Sequence, residues 1–243
     1  MGKDKIAIIS DIHANIEALN EVKKDIEKEN VDEVICLGDI VGYGPDPDKA
    51  IEIIKDFANY IIRGNHDEGL VDESITFDFN IYAIEALKWQ RNVLKDKDFN
   101  FLKNLPYFLK FEKFEIVHGA LSDFFKYITN IDEATFEKKY MKRNILFIGH
   151  THKAGIFDLS EKRFYPMPFG GEFKLSNDSC YIINPGSVGQ PRDFNPCSSY
   201  LIYFQNENKI LFKRVCYSFE KTREKIIKNN LPIFLGDRLL IGY

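Results

Sequence analysis

The chain holds 243 residues, of which 44% are apolar and 29% charged, with 33 basic against 37 acidic side chains and a formal charge of −4. These proportions fit one large globular domain and exclude a disordered tail, a collagen or a coiled-coil rod. No run of about 18 apolar residues is present, which excludes a membrane-spanning helix, and the mildly acidic balance lacks the basic field of a general nucleic-acid binder. The opening MGKDKIAIISD carries an apolar stretch of only four residues between charges, which is not a secretory signal, so a cytoplasmic location is expected. Cys36, Cys180, Cys197 and Cys216 form no CxxC pair and are expected as reduced structural thiols.

The first half alternates strands and helices. Residues 5–10 hold the continuous apolar run Ile6-Ala7-Ile8-Ile9, which suits a strand covered on both faces. A helix over 16–28 follows, with Ile16, Leu19, Val22 and Ile26 at helical spacing and Asn15 at its start. Residues 34–37 read as a strand, Asp48 as the cap of a helix carrying Ile51, Ile54 and Ala58, and 60–62 as a third short strand. This β-α-β-α-β order implies a parallel sheet with helices packed on it. Residues 70–106 are helical and aromatic, a cap-like insert whose best helix spans 80–94 with Ile81, Ile84, Leu87, Tyr82, Ala86 and Trp89 on two apolar faces. Strands return at 108–111, 115–117 and 145–148, with a helix at 132–142. Beyond Ala154 the pattern is mostly β (155–159, 163–166, 179–183, 199–204, 210–215) and reads as a second sheet, closed by a helix at 219–228. The expected fold is α/β: two mixed sheets packed face to face with helices outside, in a single domain over 1–243.

All five histidines fall in short polar clusters directly after predicted strands. The clusters read Ser10-Asp11-Ile12-His13, Gly38-Asp39, Arg63-Gly64-Asn65-His66-Asp67, Val117-His118-Gly119 and Gly149-His150-Thr151-His152. Open α/β sheets bind ligands outside the carboxyl ends of their strands. Asp11, His13, Asp39, Asn65, His118, His150 and His152 therefore converge on one edge. Carboxylate and imidazole suit zinc, manganese, iron and related ions. The set is too large for one tetrahedral ion and fits two, with one carboxylate shared. Two divalent ions about 3.5–4 Å apart are the usual clamp for in-line attack at phosphorus. With only Asp11 and Asp39 to offset them, the site stays cationic and ready for a phosphate.

In this order the motifs resemble the calcineurin-like metallophosphoesterase superfamily, over roughly residues 5–183. The loop Gly42-Tyr43-Gly44-Pro45-Asp46-Pro47 and the segment Asn184-Pro185-Gly186-Ser187-Val188-Gly189-Gln190-Pro191-Arg192 are similar to those of its small prokaryotic phosphoesterases. The resemblance implies a double β-sandwich with flanking helices. It implies that Asp11, His13, Asp39 and His152 hold one metal, and that Asp39 bridges to a second held also by Asn65, His118 and His150. Manganese is the first expectation for both ions, with iron, zinc and nickel as alternatives.

The implied chemistry is hydrolysis of a phosphorylated small molecule or nucleotide, phosphodiesters favoured, by a hydroxide held between the two ions. His66, beside a ligand, is the expected general acid or else an oxyanion-stabilising group, and Asp67 would orient it. Asn15 either caps its helix or helps hold phosphate, and Arg192 either touches an anionic substrate or forms a surface salt bridge. Tyr43 is a further candidate substrate contact. Arg63 and the basic run Lys138, Lys139, Lys142 and Arg143 read as structural or solvated. The insert aromatics Phe77, Phe79, Tyr82, Trp89, Phe99 and Phe101 serve packing or a stacked aryl group. The rival readings are a phosphomonoesterase, including a protein or dinucleoside polyphosphate phosphatase, a metal-stabilised interaction module without turnover, and an aspartyl-phosphate phosphatase with Asp11 as nucleophile.

Overall fold

The apolar run after Lys5 forms β1 (Lys5–Ile9), the centre of a six-stranded sheet in a computed structural model that describes residues 4–243. Residues 1–3, which the single-domain expectation includes, lie outside the described residues. Ile6 and Ile8 face the space between two sheets, while Ala7 and Ile9 face the helices outside. That double burial is why the run shows no polar alternation. β1 pairs in parallel with β2 (Glu33–Cys36), and β2 with β3 (Tyr60–Ile61). The crossovers are α1 (Ile16–Lys28) and α2 (Pro47–Phe57), which place Leu19, Val22, Ile26, Ile51 and Ile54 on the outer face. α2 starts at Pro47 with Asp46 as cap, two residues before the expected Asp48, because proline at a first helical position costs no hydrogen bond.

The second sheet also has six strands. In chain order these are β4 (Phe108–Lys110), β5 (Glu115–Val117), β6 (Ile145–Phe147), β7 (Gly155–Asp158), β8 (Arg163–Pro166) and, after β9 (Gly171–Lys174), β10 (Tyr181–Asn184). β5, β6 and β10 are mutually parallel neighbours, with β4 antiparallel on one side and β7 and β8 on the other. Between the sheets Ile8, Leu37, Phe147, Leu201 and Tyr203 are fully buried. Each such side chain contributes about 1.5–3 kcal/mol by leaving water. The outer face of the second sheet, with Val117, Leu146 and Ile182, is covered by α6 (Ile131–Glu137) through Ala134.

The back half does not form the second sheet by itself. β11 (Ser198–Phe204) runs antiparallel beside β1, and β12 (Lys209–Val215) and β9 extend the first sheet beyond it. Each sheet thus draws on both halves of the chain. The expected helix at 132–142 stops at Glu137. Beyond it the Glu115 carboxylate accepts the backbone N–H of Lys142 and Arg143 and draws the chain out of the helix.

The insert folds as α3 (Asn65–Val71), a 3-10 turn, α4 (Ile81–Val93) and α5 (Asp96–Lys103). The buried face of α4 is Ala83, Ala86, Leu87 and Gln90, whereas Ile81 is 64% exposed. α7 (Phe219–Lys228) and the short α8 (Ile233–Asp237) return to this region, where Ile226, Leu235 and Leu239 pack with Ala83, Ala86 and Tyr43. Among the described residues no helix is long and apolar enough to cross a membrane.

Cys36 and Cys180 are free thiols, as expected, but Cys197 and Cys216 form a disulfide. The cause is register. β11 and β12 pair Ser198 with Val215, so the next step of the ladder sets Cys197 opposite Cys216, with Cα atoms 4.2 Å apart. The double substitution Cys197→Ser/Cys216→Ser should lower unfolding free energy by about 2–4 kcal/mol. This is read as an earlier denaturation midpoint under non-reducing conditions; an unchanged midpoint would contradict it.

Candidate metal centre

The parallel strands of both sheets end at one edge. β1 delivers Asp11 and His13, β2 Asp39, β3 Asn65 through the start of α3, β5 His118, and β6 His150 and His152. The chain turns sharply at each exit. Asp11, His13, Asp39, His150 and His152 have φ of 55°, 48°, 52°, 67° and 60°, a left-handed region that non-glycine residues seldom enter. Such strain persists only where the surroundings over-determine it. Here the exits are tied to one another. Asp11 N–H donates to Gly38 O at 3.1 Å, His13 N–H to Asp39 O at 2.9 Å, and Gly149 N–H to His118 O at 2.8 Å. The close approach needs glycine at two points. A Cβ on Gly64 would lie 2.1 Å from Asp39 Oδ1, and one on Gly149 would lie 2.0 Å from Ser10 Oγ.

Two groups of candidate ligand atoms result, each within 4.8 Å internally: Asp11, His13, Asp39 and His152, and Asp39, His118 and His150. All are buried, and Asp39 belongs to both. Asn65 Oδ1 extends the second group, 3.2 Å from His118 Nε2. The imidazoles are oriented from behind. His13 Nδ1 donates to Val41 O at 2.9 Å, His118 Nδ1 to Leu37 O at 2.8 Å, and His152 Nδ1 to Gln190 O at 2.6 Å. A carbonyl only accepts, so each Nδ1 carries a proton and each Nε2 is turned inward, with a free lone pair where the ring is neutral. Inside, acceptors meet acceptors. His13 Nε2 and His152 Nε2 are 3.1 Å apart, and Asp11 Oδ1 is 3.3 Å from His152 Nε2. His150 Nε2 is buried without a hydrogen-bond partner, and Asp39 Oδ2 faces His118 Nε2 at 3.3 Å and His13 Nε2 at 3.6 Å. Lone pairs and carboxylates gathered this closely fit divalent cations, and the carboxylate–imidazole donor set suits zinc, manganese or iron.

The titration behaviour agrees. Burial pushes His13, His150 and His152 well below the usual imidazole range, so they are neutral. Burial also raises Asp11 to about 7, partly offset by His118. At Asp39 burial is outweighed chiefly by His118, whose Nε2 lies 3.3 Å from Oδ2 and which holds the carboxyl well below its usual range. His118 is opposed by burial but drawn up to about 9, chiefly by Asp39. The proton on His118 offsets the charge of the Asp39 carboxylate.

His66 lies beside this centre. Its ring packs edge-on to His13 at 4.9 Å and against Tyr43 at 4.5 Å and Phe79 at 5.0 Å, and its Nδ1 is buried without a partner. Burial lowers it to about 4. Asp67 does not orient His66. Its carboxylate accepts the backbone N–H of Ile40, Val41 and Gly64, tying the start of α3 to the loop after β2. Asn15 caps α1 by accepting from Ala18 N–H at 3.2 Å and also donates to Gly189 O, so its side chain is occupied by structure. Arg192 pairs with no carboxylate among the described residues. Its guanidinium donates to Gln190 Oε1 and lies 5.6 Å from the Tyr43 ring. Arg63 is structural, bonded to Glu68, Tyr107 and the Lys103 carbonyl. Of the insert aromatics only Phe79 reaches the centre; Phe77 is 81% exposed, Tyr82 stacks on Phe234, and Phe99 and Phe101 pack on the outer core.

Three residues at this edge escaped sequence reasoning. Tyr127 stacks on His150 with ring centroids 3.6 Å apart. Gln90 accepts from Gly42 N–H and donates to Gly44 O, fixing the loop that carries Tyr43. Its signal was available: a lone amide in the apolar stripe of α4. Arg238 lies close enough to Arg192 that their charges interact, and burial with this repulsion lowers it to about 10.

Residues 5–207 match the calcineurin-like phosphoesterase superfamily domain. An uncharacterised protein of Methanocaldococcus jannaschii is 37% identical over 250 residues, with all of both chains covered. The crystal structure of a metallophosphoesterase from Sphaerobacter thermophilus superposes with a TM-score of 0.90 at 33% identity, over all of both chains. A hypothetical protein from Pyrococcus horikoshii OT3 gives a TM-score of 0.82 at 19% identity, over 98% of each, a likeness of fold alone.

Because Asp39 belongs to both groups and His150 to one, their substitutions should differ. After reloading with Mn²⁺ and dialysis, elemental analysis should find about two ions per wild-type chain. His150→Ala should retain about half of that and Asp39→Asn almost none. Equal retention by the two variants would contradict the shared-carboxylate geometry.

Proposed function

The chain belongs to the calcineurin-like phosphoesterase superfamily, and we propose that it is a dinuclear metal-dependent phosphoesterase acting on phosphodiesters in preference to monoesters. The observation that carries this reading is the pair of buried ligand groups meeting at Asp39, with three imidazoles turned inward by backbone carbonyls. Asp11, His13, Asp39 and His152 would hold one ion, and Asp39, Asn65, His118 and His150 the other. When bound, the ions supply Lewis-acid charge to the phosphoryl oxygens and make water nucleophilic near neutral pH. Manganese is the first candidate for both positions. The whole chain is read as one domain, with the helical region at about 70–106 capping the metal edge.

The chain's own groups then divide the remaining work. Arg192, with no carboxylate partner among the described residues, binds a phosphoryl oxygen and offsets the charge that grows on it. Tyr43 and Phe79 hold the His66 ring and exclude water from it. His66 gives a proton to the departing alkoxide. Burial keeps this imidazole neutral at neutral pH in the free protein, so the negative charge of bound phosphate has to hold the proton on it. An ester group that leaves as an alkoxide needs that proton; a leaving group that departs as a stable anion does not.

Bis(p-nitrophenyl) phosphate should turn over faster than p-nitrophenyl phosphate on Mn²⁺-loaded protein, and a chelator should abolish both. Faster monoester turnover would favour the phosphatase alternative, and turnover of neither with both ions bound would favour a binding module. His66→Ala should cost about 10²–10⁴-fold on an alkyl ester and far less on a p-nitrophenyl ester. An equal loss on the two leaving groups, with metal content retained, would remove His66 from the acid role.

A further inference from the structure

Two cavities of nearly equal size open beside the metal edge. The first, of about 410 Å³, is walled by His66 and Asn65 together with Tyr43, Ile75, Phe79 and Phe125. The second, of about 390 Å³, is walled by Ile128, Phe157 and Phe164, with Arg192 and Lys153 as its cations. Each falls within the about 300–1,000 Å³ typical of small-molecule sites. They are not independent. Tyr127 borders both, and its ring lies on His150 at 3.6 Å. Arg192 borders the second cavity and sits 5.6 Å from the ring of Tyr43, which borders the first.

We infer that the cavity formed by Ile128, Phe157, Phe164 and Tyr127 is the subsite for the second, retained ester group of a phosphodiester, and that it takes a flat apolar ring. The inference rests on reading the metal edge as a phosphoesterase centre. A phosphate held there by Arg192 has His66 and the first cavity within reach for its leaving group. A monoester would fill that cavity alone, whereas a diester carries one more substituent and the second cavity receives it. The walls specify its chemistry. Phe157 and Phe164 have ring centroids 4.5 Å apart, and Phe164 leaves 38% of its surface exposed, an apolar face that ordinary packing has not covered. Aromatic faces of this kind favour a ring laid against them. The charges distinguish the two cavities as well. Asp78 and Asp123 border the first, so a leaving group bearing further phosphates is repelled there. Lys153 and Arg192 border the second, which tolerates an anionic substituent on its ring.

The test uses two non-hydrolysable probes on Zn²⁺-loaded protein with ¹³C-labelled isoleucine methyl groups. Diphenylphosphinate carries two aryl groups on one phosphorus and phenylphosphonate one. Ile75 reports on the first cavity and Ile128 on the second, their signals assigned by Ile75→Val and Ile128→Val. Diphenylphosphinate should shift both methyls and phenylphosphonate only Ile75. Phe164→Ala should lower the ratio of kcat/KM for bis(p-nitrophenyl) phosphate over p-nitrophenyl phosphate by about five-fold, through KM. Phe164 also covers Gly155, where a Cβ would lie 2.5 Å from its ring, so Phe164→Leu, which keeps bulk without a ring, is measured alongside and should lower the same ratio. An Ile128 methyl unmoved by diphenylphosphinate, or a ratio unchanged in both variants, overturns the subsite. Failure of the wild-type protein to hydrolyse either ester overturns the phosphoesterase reading instead, and the methyl shifts decide the subsite separately.

Discussion

Buried acceptors repel one another, and at this edge the fold holds two carboxylates and at least two inward-facing lone pairs within a few ångströms. In an interior of low dielectric such a cluster is costly unless cations occupy it. Everything around it works to prevent its relaxation. The left-handed turns at Asp11, His13, Asp39, His150 and His152 set the direction of each side chain. Backbone carbonyls at Val41, Leu37 and Gln190 fix three rings from behind. The glycines at 64 and 149 let the exits approach closely enough to support one another. The two mixed sheets give this edge a rigid base, because β1 and β6 are central in their sheets and covered on both faces.

What could be read from the sequence follows from which signals are local. The strand-end clusters were legible because each is a few residues long and follows an apolar run, so Asp11-Ile12-His13 and Gly149-His150-Thr151-His152 announced both their type and their place. Sheet membership was not. β11 reads as a strand in either sheet, and only its antiparallel pairing with β1 decides the matter. The same register that carries β12 into the first sheet makes a disulfide of Cys197 and Cys216, whose separation of 19 residues says nothing of it. Tyr127 was missed for a related reason. It lies in an irregular loop with no periodic neighbours, and its stacking on His150 is set by where the loops after β5 and β6 meet.

His66 and Asp67 show how far adjacency misleads. They are neighbours in a polar cluster, and the simplest expectation couples them. At the first turn of α3, however, successive side chains diverge by about 100°. His66 turns toward Tyr43, Phe79 and His13, while Asp67 turns back to the backbone N–H groups of Ile40, Val41 and Gly64. The backbone N–H of His66 itself donates to Asp39 Oδ1 at 2.8 Å, leaving Oδ2 directed into the ligand groups. One helix start thus secures the shared carboxylate, the loop beside it and the ring next to the centre.

The segment from Asn184 to Arg192 ties the candidate metal edge to Arg192. Val188 N–H donates to Ser10 O, and Gly189 N–H and the Ser187 hydroxyl both donate to Asp11 O, so this loop fixes the exit from β1. Directly after Gly189, the Gln190 carbonyl sets the tautomer of His152, while the Gln190 side chain accepts from the Arg192 guanidinium. A displacement of the loop would therefore move the Asp11 carboxylate, the His152 imidazole and the Arg192 guanidinium together. This coupling accounts for a turn rich in glycine and proline so close to a charged centre. The backbone must lie against Asp11, where a Cβ on Gly189 would come within 1.8 Å of Ile12 O, and still carry an arginine to the open side of the site. The candidate ligands and Arg192 thus rest on one piece of backbone, and neither can be moved there without the other.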